Sequence, residues 1–137
     1  MTVLPFALGD RKEINIGRLS VDRGMGDSTL HGKKHETIFL TSLDWLWSQV
    51  CGKDRSIDGV KIDVQGMELE VIKGMGEVLK SKKPKLVIEF HEDVDRKVML
   101  NTLVNSGYTR PAVPIDPVSG ENVPQFLDDK SYAFEPN

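Results

Sequence analysis

Asp63, Glu68, Glu89 and His91 can hold or move a proton, and they fall on two short stretches of the chain. Asp63 ends the run Val60-Lys61-Ile62-Asp63-Val64, and Glu89 and His91 end the run Leu86-Val87-Ile88-Glu89-Phe90-His91. Both runs read as strands, rich in β-branched and apolar residues. Between them, Val71, Ile72, Met75, Val78 and Leu79 recur at the spacing of one buried helical face. A strand–helix–strand unit of this kind closes as a right-handed parallel crossover. In open α/β sheets the ligand crevice lies outside the carboxyl ends of the strands. Asp63 and Glu89 are therefore expected at a place where chemistry is done.

Each of these residues also has a plainer role open to it. Asp63 and Lys61 are two apart and leave one face of their strand. A central parallel strand is buried on both faces, so charges there need partners. An ion pair of Asp63 with Lys61, or one involving Glu89 on the neighbouring strand, would satisfy that need. Glu68 opens the helix on the same face as Ile72, Met75 and Leu79. It can favour the helix N-terminus, worth about 0.3–1 kcal/mol, or hold a substrate hydroxyl or a backbone group at the crevice. Gln65 can hydrogen-bond a substrate but cannot act as a base. Glu89 and His91 form an acid–imidazole pair suited to base or metal-ligand chemistry, and a loop with a helix cap is the plainer alternative. Cys51 has no nucleophile-activating neighbour in the sequence.

The elements around these residues predict one α/β domain over residues 1–137. Val3 to Leu8, Lys12 to Leu19 and Thr37 to Leu40 read as strands, with a Gly- and charge-rich loop from Asp22 to Lys34. Ser42 or Thr41 caps a helix from Leu43 to Cys51 whose apolar face is Leu43, Leu46, Trp47 and Val50. Met67 to Lys80 reads as a single helix. A further helix runs from about Glu92 or Asp93 to Asn105, with Val94, Val98, Leu100 or Asn101, and Val104 inward. Tyr108 to Arg110 reads as a short strand, Pro111 to Val123 as a loop, and Lys130 to Phe134 as an antiparallel edge strand.

Composition excludes several classes. A net charge of −3 gives no electrostatic case for nucleic acid or an anionic membrane. No apolar run approaches the roughly 20 residues that span a bilayer. The first residues lack the basic and apolar regions of a signal peptide. With a single cysteine, no internal disulfide forms, and a reducing cytoplasm is the default expectation.

The block Lys61-Ile62-Asp63-Val64-Gln65-Gly66-Met67-Glu68, with Lys73-Gly74, Lys83-Pro84 and the strand ending in Glu89, resembles the FkbM-type family of S-adenosylmethionine-dependent methyltransferases. Ala7-Leu8-Gly9-Asp10 and Thr41-Ser42-Leu43-Asp44 are similar to that family's turn and helix start. Gly24 to Leu30 is similar to its small-residue loop. Gln65 departs from the family's usual Glu. The resemblance implies a partial Rossmann-like class I sheet, mostly parallel with an antiparallel edge strand, and starting at the family's third strand. The Gly-rich cofactor loop and the ribose-binding acid find no counterpart. The final Phe134-Glu135-Pro136-Asn137 resembles the family's end of the second strand, and a plain last strand is the other reading.

By the resemblance, S-adenosylmethionine is the cofactor and a hydroxyl on a sugar or natural product is the acceptor. Catalytic roles fall to Asp63, Glu68 and Glu89, cofactor binding to Ala7, Leu8 and Asp63, and substrate binding to Gln65, Glu68 and His91. No metal is required. Two further readings stand beside it. One is a non-catalytic module that completes a split methyltransferase, or a homo-oligomer, through the open edge of Val3 to Leu8. The other, ranked last, is a metal-dependent hydrolase using Asp63, Glu89 and His91.

Overall fold

The computed structural model describes residues 3–20, 35–52 and 54–137. The expected loop from Asp22 to Lys34, with the Gly24–Leu30 resemblance, lies outside the described residues. The order of elements is β1 (Ala7–Leu8), β2 (Asn15–Ser20), β3 (His35–Thr41), α1 (Leu43–Val50), β4 (Gly59–Ile62), α2 (Glu68–Lys73), α3 (Gly76–Ser81), β5 (Lys85–Phe90), α4 (Arg96–Asn105), β6 (Val113–Pro114) and β7 (Lys130–Phe134).

Two mixed sheets form, one ordered β1-β3-β2 and the other β4-β5-β7-β6. As the crossover rule requires, β4 and β5 are adjacent and parallel, with Val60 opposite Leu86 and Ile62 opposite Ile88. The mostly parallel sheet expected from the sequence is not what forms. β1–β3 and β4–β5 are parallel, whereas β2–β3, β5–β7 and β6–β7 are antiparallel. Parallel neighbours need a long crossover, and the connections after α4 are loops that return the chain antiparallel. β7 is antiparallel as expected, but it lies inside the sheet; β6 takes the edge, and no strand forms at Tyr108 to Arg110.

The core sits where α2, α3 and α4 cover the larger sheet. β5 buries alternate residues Leu86, Ile88 and Phe90, while Val87 and Glu89 are half-buried. Phe90 meets Tyr132 edge-on with ring centroids 5.5 Å apart. Ile72, Met75, Leu79, Met99 and Leu103 close the layer from the helices.

Helix ends follow capping chemistry. Ser42 caps α1, its hydroxyl accepting from Trp45 N–H. Leu46 is buried and Leu43 and Trp47 pack against the core, but Val50 at the last turn is exposed. α4 starts later than its polar residues suggested, because the Asp95 side chain accepts from Val98 N–H. That start turns Met99 and Leu103 inward and leaves Val98 and Val104 exposed, whereas Val94 and Leu100 of the inward set read from the sequence do pack on the core. The single helix expected over Met67 to Lys80 is two helices. Asp44 explains the break: its carboxylate accepts from Glu77 and Val78 N–H at 3.0 and 2.9 Å, capping α3 from another helix. Its own N–H donates to Gly74 carbonyl at 3.0 Å.

Tyr108 ties the α4 exit to the start of β5. Its buried hydroxyl donates to Pro84 carbonyl at 2.7 Å, and burial pushes its pKa up to about 12. Below the ordinary phenol value of 10.0 the folded and unfolded chains both hold this proton. From there to about 12 the unfolded chain loses it first, so stability falls as pH rises through that window. Denaturant midpoints should fall less steeply across the same window in Tyr108→Phe. The dependence should not vanish, because burial raises Tyr132 as well.

Candidate active-site crevice

The carboxyl ends of β4 and β5 bring Asp63, Gln65, Glu89 and His91 together, with Glu68 beneath them at the start of α2. The local cause is the turn after β4. Gln65 and Gly66 both adopt left-handed backbone, at φ of 54 and 98 degrees. Glycine takes this conformation freely, and glutamine seldom does. The turn swings Glu68 back under the strand end. One oxygen of Glu68, Oε1, accepts from Val64 N–H at 3.4 Å, Gly66 N–H at 3.2 Å and His91 Nδ1–H at 2.7 Å. Glu68 is fully buried, and Oε2 has no hydrogen-bond partner among the described residues.

This contact sets the histidine. With the proton on Nδ1 facing a carboxylate, Nε2 is left as the acceptor. Nε2 receives Gln65 Nε2 at 2.9 Å. Three carboxylates stand farther out around it: Glu89 at 3.7 Å, Asp63 at 3.9 Å and Asp129 at 4.0 Å. Gln65, His91, Glu92, Asp93, Asp128 and Asp129 line an open polar crevice of about 540 Å³. Arg96 pairs with Asp128 on its wall.

Several expectations change here. Asp63 and Lys61 are not buried charges. Asp63 Oδ2 lies 3.2 Å from Lys61 Nζ, and the side chains are 34% and 63% exposed. The ion pair foreseen between them exists, but at an open strand end, where solvent screens it. Glu89 is half-buried, its Oε2 accepting from Ser131 Oγ at 3.3 Å. Ala7 and Leu8 are half-buried and lie apart from this cluster, on an apolar groove that reaches β4. Asp129 was missed by sequence reading; it arrives from the loop before β7, and an Asp-Asp pair in a loop carries no distinguishing spacing.

The cluster can accept a proton at Nε2 and hydrogen-bond polar groups in the crevice. Ligand atoms of Asp63, Glu89 and His91 also lie within 4.8 Å of one another, close enough to share a divalent cation. Exposed acids often gather this way without one.

The methyltransferase FkbM domain model matches residues 11–134. The chain belongs to the FkbM methyltransferase domain family. Its fold is similar to a solved structure, methyltransferase FkbM from Methylobacillus flagellatus KT, at a TM-score of 0.60 and 19% identity over 97% of this chain. This chain spans 28% of that protein's length. None of the curated proteins matches the chain. Among the described residues no helix is long and apolar enough to cross a membrane.

Proposed function

We propose that this chain forms the acceptor side of an S-adenosylmethionine-dependent O-methyltransferase. The observation that supports it most is His91, its Nδ1 locked to buried Glu68 and its Nε2 turned toward a crevice at the carboxyl ends of β4 and β5. The cofactor supplies an electrophilic methyl group on a sulfonium. The chain's residues supply what such a transfer still needs, namely alignment of a hydroxyl and a place for its proton. Asp63, Gln65 and Glu89 hold acceptor hydroxyls, and His91 Nε2 takes the proton as the oxygen attacks. Glu68 keeps the imidazole in the required tautomer and steadies its positive charge once protonated.

A crevice lined by acids favours an uncharged or positively charged acceptor, such as a sugar or a polyhydroxylated natural product, over a phosphorylated one. The cofactor fits only in part. Ala7 and Leu8 of β1 offer apolar surface, but among the described residues no carboxylate lines their groove to bind a ribose. S-adenosylmethionine should therefore bind this chain alone weakly, and calorimetry that gave micromolar affinity would relocate the cofactor site.

The function is tested by transfer of labelled methyl from S-adenosylmethionine to a panel of sugars and polyols, using the chain within a complete methyltransferase. Asp63→Asn should slow transfer on the order of 10²-fold. Its melting temperature should barely change, because an exposed pair contributes little stability. A large melting shift with normal transfer would leave Asp63 as a structural partner of Lys61.

A further inference from the structure

One wall of the polar crevice is a segment with a costly backbone shape. Phe126 and Asp129 both adopt left-handed conformations, at φ of 52 and 54 degrees. Residues other than glycine pay strain for this shape and keep it only where surrounding contacts fix it. Here the contacts come from β5 and β7. Leu127 N–H donates to the Tyr132 hydroxyl at 2.9 Å, and Asp129 N–H donates to Phe90 carbonyl at 2.8 Å. The Phe126 ring stacks on Phe134 with centroids 6.2 Å apart and packs against Phe90 and Tyr132.

Arg96, which opens α4, ties the same segment from the helix side. Its Nε–H donates to Phe126 carbonyl at 2.8 Å. Its guanidinium pairs with Asp128 and lies 6.0 Å from the centroid of the Phe90 ring. A planar guanidinium can serve all three at once because its donors are fixed in a fork. The two adjacent acids are thereby given different tasks. Asp128 is engaged by Arg96. Asp129 is turned toward His91, its Oδ1 4.0 Å from Nε2 and its side chain 84% exposed at the crevice.

An acceptor hydroxyl has one proton to give. A hydroxyl that faces Nε2 cannot also donate to Asp129, so the carboxylate calls for a second donor on the same molecule. Hydrogen bonds of about 2.7–2.8 Å to each group suit two hydroxyl oxygens side by side. Hydroxyls on adjacent carbons can span acceptors that are 4.0 Å apart.

We infer that Asp129 binds the acceptor hydroxyl next to the one that is methylated, so that a vicinal diol is the preferred acceptor, and that Arg96 is the positioning residue that holds Asp129 in place. This inference rests on the methyl-transfer reading of the crevice.

The probes are the sugar or polyol that the wild-type chain, within a complete methyltransferase, methylates fastest, and the same compound lacking the neighbouring hydroxyl. Asp129→Gly removes the carboxylate and keeps the backbone shape, which glycine takes freely. It should raise KM for the diol about 10-fold or more, the effect of losing a hydrogen bond to a charged group. The effect should fall mainly on KM, because the bond is made before transfer as well as during it. The deoxy analogue should show the raised KM with the wild type already, and Asp129→Gly should raise it little further. Arg96→Met keeps an apolar stem on Phe90 and removes the ties to Phe126 and Asp128. It should raise KM for the diol about fivefold, and the double variant should be no worse than Asp129→Gly alone, the result expected of residues that act through one another. If Arg96→Met does not fold, Asp128→Asn breaks the same pair from the other side. On the chain alone, either variant should speed amide exchange at Asp129 at least about fivefold relative to Ile88, the effect of loosening one backbone bond.

Additive effects in the double variant, or unchanged exchange at Asp129, overturn the role of Arg96. Equal KM for the diol and its deoxy analogue with the wild type, or an unchanged KM in Asp129→Gly, overturns the role of Asp129 and leaves the methyl-transfer reading standing. No transfer by the wild type to any sugar or polyol overturns that reading and this inference with it.

Discussion

Gly74→Ala is expected to destabilise the chain by about 3 kcal/mol and to lower its melting temperature by roughly 10 °C. The argument is steric and involves backbone. A Cβ on Gly74 would lie 1.8 Å from the Gly9 carbonyl oxygen, 2.8 Å from its carbon and 3.2 Å from Ser42 Cβ. The φ of Gly74 is −77 degrees, a value any residue adopts, so conformational strain plays no part. A flexible side chain could move aside, but the Gly9 carbonyl is the end of β1 and is held by Gly9 N–H on Thr41. Relief requires separating α2 from β1, and with it the bond from Asp44 N–H to Gly74 carbonyl. Gly76→Ala is the control: nothing lies within 4 Å of the added carbon there, so its melting temperature should stay within a degree or two. Equal effects at the two glycines would show that helix propensity, and not the Gly9 contact, is what matters.

His91→Asn should lower methyl transfer by about 10²–10⁴-fold within a complete methyltransferase, the range for loss of a positioned general base. Stability should fall by only about 1–3 kcal/mol, because Glu68 Oε1 keeps the N–H groups of Val64 and Gly66. Glu68→Gln keeps an oxygen for all three donors and removes the charge, so its rate should fall less than that of His91→Asn. Near-normal turnover in His91→Asn with a much lower melting temperature would make the Glu68–His91 pair a structural tie between α2 and β5.

The sequence by itself determined the parts whose signals are local. The β-branched runs at Val60 and Leu86 and the helical spacing between them are short-range patterns, and crossover handedness turns them into adjacent parallel strands. The position of Asp63 and Glu89 at the carboxyl ends followed from that unit. Ser42 as the cap of α1 was also legible, because a cap and its N–H partner are three residues apart.

Tertiary structure decided whatever depended on groups distant in sequence. Asp44 divides the helix over Met67 to Lys80 by capping α3 from 33 residues away, and no periodicity within the helix foretells it. β7 moved from the edge to the interior because β6, only Val113–Pro114, pairs outside it; two residues leave no alternation to read. Burial also overturned an inference from strand position. Lys61 and Asp63 stand in solvent because one edge of β4 has no neighbour among the described residues, whereas a central parallel strand would have enclosed them. The pairing of His91 with Glu68 joins residues 23 apart. Each was visible alone as a titratable side chain near a strand or helix end. Only the left-handed turn at Gln65 and Gly66, which folds the start of α2 under the end of β5, makes them one unit.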